Sequence, residues 1–269
     1  MNLIYSCVFY NENYLNLIEK LLTSFYKHNK DSNINYLIIT CESFKNKVIK
    51  ICNQIGLKFD IWILDICNTD STVNNIYEST YSRYAIYNYP KLNNYKKILY
   101  LDCDILIINN LKPLFEINLT NHFYTLFEEP HRICHCATFN DDEFEEIKNK
   151  KETFTSAIIL FNNNNIMCSY LKNIFTIIQN HHQKYKKPFS CYDQPIFNKI
   201  GYINKIINNK ILGEYCFNVS PHDNLNILPT LVKYLLCHFA TNVGDYNSKI
   251  IRTTKAEEYL NNYKSRLVN

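Results

Sequence analysis

Lys97-Ile98-Leu99-Tyr100-Leu101-Asp102-Cys103-Asp104 is the stretch that decides the fold. Its five apolar-rich residues read as a buried strand closed by two acids. Side chains alternate along a strand, so residues at i and i+2 point the same way. Asp102 and Asp104 are therefore expected side by side at the strand's C-terminal end, where open α/β sheets bind ligands. Two adjacent carboxylates repel each other. A divalent cation between them relieves this and makes a hard oxygen site that diphosphate oxygens can complete. The same residues also suit a solvated strand end with two turn-forming aspartates.

Around this stretch, strand and helix patterns alternate. Residues 3–9, 35–40 and 59–64 read as strands. Residues 14–26 and 43–55 carry apolar side chains at helical spacing, the second ending at Gly56 as a C-cap. Alternation at this pace predicts a parallel sheet with helical crossovers. Further on, 80–87 reads as a helix stopped near Pro90 and 106–115 as a turn with a short helical element. The charged run 140–152 reads as a solvated segment, 153–161 as a central strand and 166–184 as a helix. Tyr192-Asp193-Gln194-Pro195 reads as a polar turn opening a helix. A late strand is expected over 232–240, with His238 near its end, and a charged C-terminal helix over 255–267.

Composition narrows the function classes. The 269 residues are 46% hydrophobic and 20% charged, an ordinary globular balance. A net charge of +4 and the lack of a basic stripe with interleaved aromatics argue against nucleic acid as partner. With four glycines there is no G-x-G-x-x-G and no G-x-x-x-x-G-K, so phosphate must be held by metal, side chains or ordinary backbone. Abundant Asn, Ile, Lys and Tyr match AT-rich codon usage, which strips the 22 tyrosines of functional weight. Eleven cysteines, an odd number, suit free thiols in a reducing compartment. With no signal-peptide pattern and no apolar run of membrane length, the expectation is a cytoplasmic protein without a membrane span. His131, Cys134, His135 and Cys136 form a short cluster that lacks the second pair a structural zinc site needs, and a plain loop is the reading preferred there.

The ordered set of motifs resembles glycosyltransferase family 8, and within it the glycogenin-like enzymes. Lys96 to Leu106 looks like the family's strand plus D-x-D, and Leu111-Lys112-Pro113-Leu114-Phe115 like the segment after it. Arg83 sits where these enzymes keep a basic residue facing the donor. Phe154-Thr155-Ser156-Ala157 resembles F-N-S-G, Asp193-Gln194 resembles the D-Q pair, and Cys237-His238-Phe239 resembles a late H-F. The resemblance spans about residues 1–250. It implies a single GT-A nucleotide-diphospho-sugar transferase domain there, with 251–269 as a charged C-terminal helix or tail. That fold is α/β, a Rossmann-like, mixed but mostly parallel sheet with helices on both faces.

The implied reaction is transfer of a hexose, glucose or galactose, from a UDP-sugar with retention of configuration, aided by Mn²⁺. Asp102, Asp104 and His238 would hold the ion, Asp102 being shared with the donor ribose. A neutral imidazole suits Mn²⁺ better than Mg²⁺. His238 could instead be a hydrogen-bonded core histidine. Val8, Tyr10, Asn11 and Tyr14 would bracket uracil and ribose, a Tyr face being able to stack on a base. Tyr14 would equally suit the start of a buried helix face. Arg83 would pair with phosphate or sugar, unless it is an exposed helix residue. Cys103, Thr155 and Ser156 would line the donor. Asp193 and Gln194 would reach the hexose, Asp193 orienting it and supporting charge, with nucleophilic attack the lesser role. Asp193 could also be a helix N-cap.

Three departures from the family pattern touch the donor pocket. A hydroxyl at Thr155 replaces an amide, Ser190 replaces a sugar-binding Asp, and the H-x-x-G-x-x-K-P-W segment becomes His238 to Tyr246, with Lys249 a few residues on as a substitute for the missing Lys. The acceptor is an unidentified glycan or protein, with one of the chain's own tyrosines as a candidate, and a homodimer is left open. Two other functions compete. One is a UDP-sugar- or glycan-binding relative with weak or no catalysis, suggested by the missing Lys. The other is a haloacid-dehalogenase-type phosphohydrolase, disfavoured by Ile105-Leu106 after the second Asp.

Overall fold

The computed structural model describes residues 1–9, 11–64, 80–129, 139–185, 192–220, 223, 225–240 and 245–268. Its first half is a β-α-β-α-β run of β1 (Asn2–Val8), α1 (Asn13–Asn29), β2 (Ile34–Thr40), α2 (Glu42–Ile55) and β3 (Asp60–Ile63). β1 and β2 are buried along most of their length, as parallel strands covered on both faces must be. α1 contributes Leu17, Ile18, Leu21, Leu22 and Phe25 to the core, and α2 contributes Phe44, Val48 and Cys52. Gly56 ends α2 at φ 76°, with Gly56 N–H on Asn53 O (3.1 Å) and Leu57 N–H on Cys52 O (3.0 Å), the paired bonds of a Schellman cap.

The remaining elements are a 3-10 turn at Arg83–Asn88, β4 (Lys97–Leu101), β5 (Ile105–Ile107), α3 (Lys112–Glu116) and β6 (Phe123–Phe127). They continue with α4 (Asp141–Asn149), β7 (Phe154–Asn162), α5 (Asn165–Tyr185), α6 (Gln194–Asn204), β8 (Ile207–Asn208) and β9 (Cys216–Val219). The chain closes with α7 (Leu228–Leu231), β10 (Leu236–Phe239) and α8 (Tyr246–Val268). α4 is the solvated acidic run, started by a capping box between Asn140 and Glu143.

The main sheet has seven strands in the order β3-β2-β1-β4-β7-β6-β8. β1 pairs in parallel with β2 and β4, whereas β7 is antiparallel to both β4 and β6. The sheet is thus mixed and mostly parallel, as expected. The reversal at β7 positions the site. Leu101 pairs with Ile158, and Asp102 N–H continues the ladder to Ala157 O at 2.9 Å. The start of β7, Thr155-Ser156-Ala157, therefore lies against the end of β4.

A second sheet, β5-β10-β9, packs α7 and α8 around a smaller core that includes Leu106, Val219, Leu231, Phe239, Ala256 and Leu260. Here the structure departs from the expected boundaries. The late strand covers only 236–239, because Tyr234 N–H turns back to Leu231 O and Leu235 N–H bonds Tyr215 O. The C-terminal helix starts at Tyr246, well before 255, and runs across residue 250. Its inner face is Lys249, Thr253, Ala256 and Leu260, all buried, and the two polar members hid its first turns from a hydrophobic-period reading.

All seven described cysteines are free. Among the described residues, no helix is long and apolar enough to cross a membrane.

Gly201 faces inward from α6, where a Cβ would come 2.4 Å from Ile207 Cγ1 and 3.2 Å from Phe154 Cε1. Gly201→Ala, favourable by helix propensity, is expected to lower stability by about 1–3 kcal/mol through overpacking, read as a reduced urea midpoint at unchanged m-value.

Candidate active site

Asp102 and Asp104 do meet, but not by strand alternation. β4 ends at Leu101, and residues 103 and 104 form a turn before β5. The turn sends the two acids to different partners. Asp102, about a quarter exposed, takes Arg83 Nη2 at 3.2 Å and accepts from the Tyr100 hydroxyl. Asp104, 5% exposed at its side chain, faces His238 Nε2 across 3.4 Å and Lys249 Nζ at 2.5 Å.

The second sheet brings His238 there. In the β5–β10 pairing His238 lies opposite Ile105, next to Asp104, and Phe239 N–H bonds Asp104 O at 3.0 Å. In the β10–β9 pairing His238 lies opposite Asn218, whose Oδ1 is 2.9 Å from His238 Nδ1. An amide oxygen can only accept, so Nδ1 is the ring atom that donates to Asn218, and Nε2 is the ring atom that faces Asp104. One oxygen from each acid and one imidazole nitrogen then lie within 4.8 Å of one another. Two hard oxygens and an oriented imidazole form a donor set that fits a divalent ion.

Arg83 is buried, not an exposed helix residue. Besides Asp102, its Nε donates to Thr80 O (2.8 Å) and lies 3.6 Å from Asp193 Oδ2. Nη1 donates to Ser156 O at 2.5 Å, and the guanidinium rests 4.7 Å from the centre of the Tyr100 ring. Burial opposes its charge, but Asp102 and Asp193 outweigh that and hold its proton more tightly than usual. Asp193 Oδ2 also accepts from the Tyr84 hydroxyl at 2.6 Å. Asp193 precedes α6 but makes no side-chain cap, which removes the N-cap reading. Tyr192 before it is held at φ 60°, a costly conformation for a residue with a Cβ, and Asp193 itself is buried.

Gln194 is fixed at both ends of its amide. Its Nε2 donates to Glu128 Oε2 at 2.8 Å, and its Oε1 accepts Ser156 N–H at 3.3 Å. Thr155 is buried, with its hydroxyl accepting from Ala157 N–H. The Cys103 thiol points back into the core and donates to Cys7 O at 3.2 Å. On the other side, Val8 is buried at the end of β1, while Asn11 and Tyr14 meet Tyr246 of α8. Asn11 Nδ2 donates to the Tyr246 hydroxyl, and the two tyrosine rings pack edge-on at 5.0 Å. Tyr10, Ser190, residues 241–244 and the His131, Cys134, His135, Cys136 cluster lie outside the described residues.

Glu128, Asn218 and Tyr246 belong to this constellation and were not singled out from sequence. Glu128 was legible in principle, since it closes the apolar β6 as Asp102 closes β4. Asn218 carries no such signal, because only strand pairing places it, while Tyr246, which closes the counterpart of the H-x-x-G-x-x-K-P-W segment, is brought to Asn11 and Tyr14 by helix docking.

The family model for glycosyl transferase family 8 matches residues 7–225. The chain belongs to glycosyltransferase family 8. This glycosyltransferase is 28% identical over 264 residues to a Haemophilus influenzae protein named as a glycosyltransferase, covering 89% of this chain and 71% of that one. Among solved structures, the galactosyltransferase LgtC, in complex with donor and acceptor sugar analogues, superposes with a TM-score of 0.60 at 15% identity. That match covers 97% of this chain and 96% of LgtC. The bifunctional glycosyltransferase WbbM gives 0.57 at 18% identity over 98% of this chain, which spans about half of WbbM (51%). These structural likenesses identify the GT-A fold. The family match ends at 225, before His238 and Lys249, so those two rest on the geometry above.

Electrostatics give a stability test. Burial alone would raise the Asp104 carboxyl, but Lys249 and then His238 outweigh it and hold it well below its ordinary value of 3.8. A depressed carboxylate stabilises the fold above its unfolded pKa, and that contribution fades as pH falls. Asp104→Asn leaves Lys249 buried without its partner and is expected to cost ~3 kcal/mol at neutral pH. The deficit should shrink as pH drops below about 4, measured by urea unfolding of both proteins across pH 7 to acid.

Proposed function

We propose that this glycosyltransferase moves a hexose, glucose or galactose, from a UDP-sugar to an acceptor hydroxyl with retention of configuration, and that it needs a divalent ion, Mn²⁺ by the family's pattern. The convergence of Asp102, Asp104 and His238 within 4.8 Å carries the reading, since it sets a divalent-ion donor set at the ligand-binding end of the sheet. The galactosyltransferase LgtC, with its donor and acceptor sugar analogues, supports a hexose as the transferred group by likeness of fold, and UDP is the carrier that the family's pattern implies. A bound ion supplies Lewis-acid stabilisation of charge on the leaving diphosphate.

The protein's own groups do the rest. Arg83 ties Asp102 to Asp193 and so sets the distance between the metal side and the sugar side of the pocket. Asp193, braced by Tyr84 and Arg83, orients the hexose and places negative charge near a developing positive anomeric carbon. Gln194, with its amide plane locked between Glu128 and Ser156, is pre-aligned on the same pocket wall. Pre-alignment of this kind needs no rearrangement at the moment of transfer, which suits acceptor entry on the face from which UDP departs. Val8, Asn11 and Tyr14 serve the nucleoside, and Cys103, Thr155 and Ser156 line the donor mainly through backbone. The acceptor is a glycan or protein hydroxyl, the chain's own tyrosines included.

The test incubates the purified chain with UDP-glucose or UDP-galactose, with Mn²⁺ or with EDTA, and follows UDP release and the intact protein mass. Mn²⁺-dependent release is expected, falling by about two orders of magnitude in His238→Ala, while mass gain in whole hexose units marks self-glycosylation. Release that ignores EDTA, or none from any UDP-sugar, overturns the reading. Asn218→Ala, which touches no metal directly, is expected to weaken Mn²⁺ about tenfold by freeing the imidazole tautomer, read by electron paramagnetic resonance of unbound Mn²⁺.

A further inference from the structure

Lys249 holds a carboxylate that the divalent ion needs. Its Nζ is 2.5 Å from Asp104 Oδ2, while Asp104 Oδ1 faces His238 Nε2. The lysine is 8% exposed, so its ammonium has little water to retreat into. The side chain is not a floppy surface arm. It leaves the first turn of α8, and that helix is pinned at several points. Arg252 donates to Ala240 O and Ser220 O at the ends of β10 and β9. Thr253 and Ala256 are buried, and Glu257 pairs with Lys20 of α1 at 3.2 Å. The same helix turn presents Tyr246 to Asn11 and Tyr14, and the ammonium lies 6.0 Å from the Tyr14 ring centre. Lys249 thus stands between the acidic pair and the end of β1.

Charge sharpens the point. Asp102, Asp104 and Asp193 converge on two side-chain cations, Arg83 and Lys249. Arg83 is shared among Asp102, Asp193 and two backbone carbonyls, whereas Lys249 serves Asp104. A divalent ion arriving at Asp104 meets an ammonium already on the carboxylate. Two cations on one desolvated acid repel, which weakens the ammonium's hold and favours its shift to another anion within reach of a fixed helix turn. A diphosphate bound beside the ion is such an anion.

We propose that Lys249 is an exchangeable resident cation, which occupies Asp104 while the donor is absent and moves onto the donor's diphosphate when metal and donor bind together. This rests on the metal and UDP-sugar reading above and adds a consequence to it. Without donor, Lys249 competes with the divalent ion; with donor, it helps hold the complex, so it couples the two binding events.

The experiment measures Mn²⁺ affinity by electron paramagnetic resonance with and without UDP, and UDP affinity by calorimetry at saturating Mn²⁺, for the wild type, Lys249→Met and Lys249→Gln. Circular dichroism confirms the fold, and the Gln variant stands in if Met does not fold. Loss of the ammonium is expected to tighten Mn²⁺ binding in the absence of UDP and to weaken UDP binding in its presence, each on the order of tenfold. Lys249→Arg, which keeps the charge, should retain weak metal binding without UDP. Mn²⁺ affinity that is unchanged or lower in the neutral variants, or UDP affinity that does not fall, overturns the exchange while leaving the transferase reading intact. Failure of every form, the wild type included, to bind Mn²⁺ with UDP overturns both.

Discussion

The Arg83 guanidinium is the contact on which the rest of the site depends. It is buried, lies on the face of Tyr100, and bonds to groups from the end of β4, the start of β7 and the turn before α6. Those segments are far apart in sequence, and Arg has the planar fork needed to reach several of them at once. A charge in that place is costly unless it is paired and hydrogen-bonded. Here Asp102, Asp193, Thr80 O and Ser156 O satisfy it together. Removing the guanidinium would leave the buried Asp193 carboxylate without its nearby cation, so the cluster depends on it.

Around that contact, two sheets divide the labour. The main sheet supplies strand ends with acids, Asp102 after β4 and Glu128 after β6, and its one reversed strand brings Ser156 between them. The small sheet supplies His238 and its orienting Asn218 from adjacent strands in register. α8 then lays Tyr246 and Lys249 across the junction. The residues that converge at the candidate site therefore come from both cores, and the C-terminal helix supplies two of them.

Much of the frame could be read from local patterns. The first two helices, the glycine stop at Gly56 and the strand before Asp102 follow from periodicity and capping chemistry, whereas the charged run after Asn140 reads equally as a solvated loop or helix until its capping box is seen. Where reading failed, the reason was physical. Strand alternation predicts that Asp102 and Asp104 point the same way, yet a turn begins between them, so they face different partners. α8 begins at Tyr246, but its inner face opens with Lys249 and Thr253, buried for electrostatic and hydrogen-bonding reasons that a hydrophobic pattern does not register. Glu128 resembled any acid at a strand end until Gln194 was seen bonded to it.

The chain's linear order sufficed for the alternating α/β architecture and the family, and it pointed to some of the residues that meet at the candidate site, because each depends on short-range spacing and on motifs in sequence. It could not decide who touches whom. That His238 meets Asp104, that Asn218 sets its tautomer, and that Lys249 occupies the other carboxylate oxygen depend on the register of β5, β10 and β9 and on the docking of α8. These contacts join residues more than a hundred positions apart or on different strands. Their energies come from desolvated charge and aligned hydrogen bonds, which exist only once the two cores have closed around them.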